Sequence, residues 1–327
     1  MEIAGGEIAG GTSPETGGAT AAGTAKASLT LGPVLFNWQP ERWRDFYFRI
    51  ADEAPVETVT FGETVCSKRT PLFDKHFEVA AARLEAAGKT VVLSTLAEVF
   101  LPPDRKQVEE ITAQDKRMVE VNDASALYHL SGRPHHIGPF MNVYNERTVA
   151  VLAMGGARNF TLPVEMPARA IRALAEATRE LAVTYEVMVF GRMPLALSAR
   201  CYHARVHGRT RNTCRYVCEN DPDGMELRTM EGRPFLAING IQTLSYECLN
   251  LSAEIAELSA IGISRFRLSP QACDMVAVAS VYRNLLDRHI AAGEAAAMLD
   301  EIALPMPFAN GFYHGKPGHR RTGAPAH

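Results

Sequence analysis

The stretch LGPVLFNWQPERWRDFYFRIADEAPVETVTFGE, residues 31–63, carries the reading that decides the fold. Leu31–Trp38 is a short apolar run of strand character. In Pro40–Asp52, Trp43, Phe46, Tyr47, Ile50 and Ala51 recur at helical spacing, and Pro40 suits a first helical turn. Glu57–Glu63 is β-branched and strand-like again. Strand, helix and strand within some thirty residues is the beat of a βα unit.

The beat continues outward. Strand patterns recur at Thr90–Thr95, Met118–Asp123, His135–Asn145, Asn159–Glu165, Glu186–Leu195 and Arg265–Pro270. Helical patterns fill Leu72–Ala87, Asp104–Gln114, Asp123–Leu130, Glu146–Met154, Pro167–Ala182, Ser252–Ile261 and Gln271–Ala292. Eight strands that alternate with helices predict a parallel sheet. The expected class is α/β, a TIM-like (β/α)8 barrel, regular or irregular, with an open doubly wound sheet as the competitor.

The beat breaks once, after the seventh strand. Residues 197–250 insert a Cys/Arg-rich loop and then a small hairpin, Met225–Thr229 and Phe235–Ile238 around Glu231–Pro234. An insertion of this size in a compact domain is usually functional. The domain itself is read as residues 29–314. Residues 1–28, mostly Gly, Ala and Thr, are read as a disordered tail, and residues 315–327 as a flexible C-terminal tail.

The 327 residues are 46% hydrophobic and 22% charged, enough for a large core. A net charge of −3 argues against a nucleic-acid coat, so no stable nucleic-acid binding is expected. No apolar run approaches the ~18–20 residues that span a bilayer. No signal-peptide pattern opens the chain, so a cytoplasmic protein is expected. There is no G-x-S-x-G, H-E-x-x-H, P-loop or G-x-G-x-x-G motif.

In a parallel barrel the chemistry gathers where the strands end. There the sequence places Glu63, Ser94-Thr95, Asn122-Asp123, Asn142, Asn145, Glu165 and Ser269. Asp123 and Ser269 read first as helix caps. Glu63, Asn142 and Glu165 are positional candidates for a catalytic base, and no catalytic residue is assigned.

Cys201, Cys214 and Cys218 form C-x12-C-x3-C in the insertion, and Cys66 follows the second strand onto the same face. Four thiolates there would make a complete tetrahedral site for structural zinc or an iron–sulfur cluster. A zinc ribbon uses two close pairs, whereas here one close pair meets scattered ligands, which favours a cluster. Arg200, Arg205, Arg209, Arg211 and Arg215 accompany the cysteines with no acidic residue among them, and Lys68 and Arg69 follow Cys66. Cations of this kind stabilise an anionic cluster. His203 and His207 share the insertion and read as surface or supporting groups. Cys248 and Cys273 read as core thiols.

Several segments carry a family resemblance: LGPVLFNW (31–38), GETVCSKR (62–69), KTVVLSTLAEV (89–99), PVE (163–165), PLALSARCYHAR (194–205), NGIQTLSY (239–246), RLSPQ (267–271) and NGFY (310–313). Together they resemble the U32 peptidase-like family, and within it the branch that serves oxygen-independent ubiquinone biosynthesis. The resemblance implies a [4Fe–4S] cluster on Cys66, Cys201, Cys214 and Cys218. It implies a heterodimer with a paralogous U32 protein and O2-independent hydroxylation of a quinone precursor. An anionic oxygen donor such as prephenate and a lipid-carrier accessory protein are the further expected partners. Two alternatives stand beside it: a non-catalytic, cluster-bearing partner that stabilises the paralogue, and an RNA-base hydroxylase. Despite the family name, no protease site is expected. Thr70 stands where the family often has Arg, which weakens any role for that position in anion contact.

Overall fold

The computed structural model describes residues 27–302, 304 and 306–323. The N-terminal tail up to residue 26 and residues 324–327 lie outside the described residues.

In chain order the elements are β1 (Ser28–Leu31), α1 (Pro40–Glu53), β2 (Thr58–Phe61), α2 (Thr70–Ala86), β3 (Thr90–Ser94), α3 (Pro102–Ala113), β4 (Met118–Val121), α4 (Ala124–Leu130), β5 (His135–Ile137), α5 (Glu146–Met154), β6 (Ala157–Thr161), α6 (Ala168–Ala177) and β7 (Thr184–Leu197). Then follow α7 (Tyr202–Val206), β8 (Met225–Arg228), β9 (Pro234–Asn239), β10 (Gln242–Asn250), α8 (Ile255–Ile261), β11 (Arg265–Leu268), α9 (Met275–Leu286), α10 (Ala292–Glu301) and β12 (Phe308–Ala309). Strands β1 to β7 pair in parallel in sequence order, and β11 closes the ring between β7 and β1. The fold is therefore a closed eight-stranded parallel barrel with alternating helices. Among the described residues, no helix is long and apolar enough to cross a membrane.

The first strand differs from the sequence reading. It is Ser28–Leu31, with Leu29 and Leu31 fully buried, and it pairs with both β11 and β2. Gly32-Pro33 ends it, because proline has no N–H to donate to a ladder. Residues 32–38 are the loop beyond the strand. They are apolar because the insertion covers them: the Trp38 indole donates to the Pro222 carbonyl at 2.6 Å. The chain beyond residue 315 also returns to the body, with Asn310 N–H on the Arg320 carbonyl at 3.0 Å and Thr322 N–H on the Asn310 side chain at 2.7 Å.

The expected hairpin is present as β8 and β9, and it belongs to something larger. β7 runs on past the barrel, and β10 lies antiparallel to that extension, followed by β9 and β8. The divergence is at Gly191, with φ of +119°. A Cβ there would sit 2.6 Å from the Ser269 Cβ, so only glycine allows β7 to pass the end of β11.

Packing outside the barrel is aromatic: Trp43, Tyr47, Phe61 and Phe73 form a contiguous cluster of rings 4.7–5.1 Å apart between α1, α2 and β2. The barrel interior is ionic. Arg267 donates to Glu186 at 2.6 Å, to Thr60 at 3.1 Å and to both oxygens of Glu120, and all four are buried. Buried charges persist only when paired in this way. The network ties β2, β4, β7 and β11 across the barrel axis.

Candidate functional site

The loop after β2 is organised by Glu63. Its carboxylate accepts the backbone N–H groups of Val65 at 2.7 Å and Cys66 at 2.9 Å. Burial pushes the Glu63 carboxyl up, with Arg69 partly offsetting it from 3.9 Å. Glu63 thus shapes the loop that presents Cys66.

Arg69 is among the most completely buried large side chains. One end of its guanidinium donates to the Leu35 carbonyl at 2.8 Å, the other to the Asn239 side chain at 2.9 Å. Cys218 and Cys66 lie near the same guanidinium. Gly240, at φ of +64°, makes room for it, since a Cβ there would be 2.9 Å from Nη2.

The other cysteines arrive from the insertion. Cys201 opens α7, its Sγ accepts the Ala204 N–H at 3.4 Å, and it packs against the cluster of Leu35, Val65 and Ile241. Cys214 and Cys218 flank a turn in which Arg215 and Tyr216 have φ of +49° and +55°. Lys68 clamps this turn to the Cys66 loop. Its Nζ donates to the Arg211 carbonyl at 2.8 Å and the Asn212 carbonyl at 3.3 Å, and reaches the Cys214 Sγ at 3.6 Å. Asp104 adds a second tie, accepting from Arg211 at 3.2 Å and from Ser67.

Cys201 interacts electrostatically with Cys66 and Cys218. The four sequence-selected cysteines, all free thiols, thus lie on the Cys66 loop and on the insertion that Lys68 and Arg211 clamp to it. Burial pushes the Cys66 and Cys201 thiols up. Tetrahedral zinc with Zn–S of about 2.3 Å would bring thiolates to roughly 3.8 Å from one another. Among the described residues, no three of these sulfurs lie that close: the one group whose ligand atoms fall within 4.8 Å is His203, His207 and Asp221. Four thiols with Lys68, Arg69 and Arg211 close by are the donor types and counter-charges that a thiolate-bound cluster uses. Cys248 is fully buried in β10, and Cys273 has its thiol pushed up to about 12 by burial; both lie away from this group.

Beside the cysteines, at the ends of β3 to β7, lies a cleft of about 460 Å³. Asn122, Asn142 and Glu165, placed at strand ends by the sequence, line it, with Phe140, Met141 and Leu195. Leu197 lines the cleft and packs on the Leu35, Val65 and Ile241 cluster that Cys201 also packs on, so one small apolar cluster lies between the two regions. Glu165 accepts the Tyr144 hydroxyl. Glu98 and Asp123 complete an acidic lining that contains no Lys, Arg or His. Burial, then Asp123, raises the Glu98 carboxyl.

Asp123 also caps α4, accepting the Ser125 N–H at 2.8 Å. Ser269 caps nothing, because the following helix starts later than expected: α9 begins at Met275 and Asp274 caps it. Ser94 supports the cleft floor, bonding Thr64 at 2.8 Å and Asn122 at 3.0 Å.

A model of peptidase family U32 matches residues 39–323. The chain belongs to this family. In this U32 protein, sequence reasoning had singled out the cysteines, Lys68 and Arg69 as candidates, and the structure places Lys68 and Arg69 between the Cys66 loop and the insertion. That reasoning missed Asn239, Asp104 and Asp221, which hold the cysteine-bearing loops. Single polar residues in unlike segments carry no periodic or motif signal, and only the fold makes them neighbours.

Proposed function

We propose that this U32 protein is an iron–sulfur subunit of the UbiV type, working with a UbiU-like paralogue in O2-independent ring hydroxylation of a ubiquinone precursor. The reading is supported by four free cysteines carried on the Cys66 loop and the insertion that Lys68 and Arg211 clamp to it. These cysteines would hold a [4Fe–4S] cluster, which when bound supplies one-electron transfer. Arg69 and Lys68 neutralise thiolate charge and keep the Cys66 loop against the insertion.

The two regions divide by charge. The cysteine lobe carries Arg200, Arg205, Arg209 and Arg215 at or near its surface, the place for an anionic oxygen donor such as prephenate. The adjacent cleft, lined by Glu98, Asp123 and Glu165, repels anions and suits a neutral ring whose hydroxyls donate to carboxylates. Apolar Phe140, Met141 and Leu195 would face the ring. A lipid-carrier protein would deliver the precursor.

The test is anaerobic purification with iron and sulfide analysis and EPR after reduction, followed by Cys214→Ala in cells. About four irons and four sulfides per chain are expected, with loss of anaerobic but not aerobic quinone synthesis in the variant. Zinc in place of iron, or normal anaerobic quinone levels in Cys214→Ala, overturns the reading.

A further inference from the structure

We propose that His203, His207 and Asp221 form a second metal site, distinct from the cysteines, for a first-row divalent cation such as Fe2+ or Zn2+. The inference rests on these three side chains alone and stands whether or not the cysteines bind a cluster.

His203 lies on α7 and His207 caps its C-terminus. Four residues apart on one helical turn, they share a face. Their rings stack, with centroids 6.0 Å apart and planes 16° apart. Asp221 comes from the other side of the insertion, three residues past Cys218, and its Oδ2 lies 2.8 Å from the His203 Nε2. One ligand atom from each of the three falls within 4.8 Å of the others. Metal bonds of about 2.0–2.2 Å to imidazole and carboxylate need ligand atoms no further apart than this.

The environments are unequal in a way that suits a metal. His203 is buried, with 1% exposure, and its Nδ1 has no hydrogen-bond partner among the described residues. Asp221 is half-buried and His207 exposed. A buried imidazole and a carboxylate thus form the floor, and an exposed imidazole forms the rim. An ion held there keeps positions open toward solvent, as in the two-histidine, one-carboxylate arrangement of ligand-binding metal centres. The site would also cross-link α7, which starts at Cys201, to the turn that carries Cys218.

The test is Co2+ titration of the anaerobically purified full chain, read by visible absorption, in the wild type, His207→Ala and Cys66→Ser. His207 is exposed, so its variant folds normally. The expected result is one Co2+ with ligand-field bands and no thiolate charge-transfer band. Binding should weaken about tenfold or more in His207→Ala and stay unchanged in Cys66→Ser. Equal affinity in wild type and His207→Ala overturns the proposal. So does a thiolate charge-transfer band lost in Cys66→Ser but kept in His207→Ala, since the ion would then sit on the cysteines.

Discussion

Arg69 and Asn239, 170 positions apart in sequence, meet through a buried hydrogen bond of 2.9 Å. Both also hold the Leu35 carbonyl, Arg69 at 2.8 Å and Asn239 at 2.7 Å. Three chain segments, the loops after β1 and β2 and the end of β9, are thereby pinned to one carbonyl.

Arg69→Leu should therefore destabilise the protein severely. It strands the buried Glu63 carboxylate and the Asn239 amide, and breaking one side of a buried ion pair costs about 3–5 kcal/mol. Arg69→Lys keeps the charge but cannot reach in two directions, so an intermediate loss is expected. Urea unfolding of the three proteins checks the order; a leucine variant as stable as wild type contradicts the role.

Gly240→Ala should act on the same contact. Alanine is strained at φ of +64°, and its Cβ would meet the Arg69 guanidinium at 2.9 Å. The expected loss is about 1 kcal/mol or more. It should shrink when measured in the Arg69→Leu background, where the clash is gone. Additive losses would show that only backbone strain matters.

Acid should unfold the barrel from within. Burial and then Arg265 lower the pKa of His136 from 6.5 to about 4. For Glu186, burial pushes upward, but Arg267 and Arg265 outweigh it and hold the carboxyl at about 2 against an ordinary 4.5. Both groups bind protons more weakly in the fold than in the unfolded chain, so stability falls as pH falls. The His136 contribution is complete above pH 6.5 and is lost down to about 4; the Glu186 contribution is lost from 4.5 down to about 2. Urea midpoints across this range should fall steadily, and His136→Gln should flatten the upper part only. A midpoint independent of pH from 7 to 4 in the wild type would refute the assignment.

Cys214→Ala should separate assembly from folding. Cys214 is partly exposed, and its contact with Lys68 is long, at 3.6 Å. The apo variant should unfold within about 0.5 kcal/mol of the apo wild type, as surface substitutions do. Iron bound on anaerobic reconstitution should drop sharply. Full iron retention would remove Cys214 from the ligand set.

Periodicity made the eight strands and their helices legible. One misplacement was instructive: Gly32–Trp38 is as apolar as a strand, yet it is a loop whose burial comes from the insertion. The β10 strand went unread because Gln242–Asn250 mixes buried and half-buried positions without clean alternation. The ionic barrel core was equally hidden, since Glu120, Glu186 and Arg267 are single charges in otherwise apolar strands.

By itself, the sequence determined the alternation of strand and helix, and with it a parallel sheet; that the sheet closes into a barrel rests on β11 pairing with both β7 and β1. It also singled out Cys66, Cys201, Cys214 and Cys218 as candidates, because residue type and spacing are local properties. Tertiary structure alone decided that Arg69 reaches Asn239, that Asp221 stands against His203, and that the cleft beside the cysteines is acidic. Each of these joins residues from different loops, and such distances are set by barrel closure and the course of β7 beyond it, which no local pattern encodes.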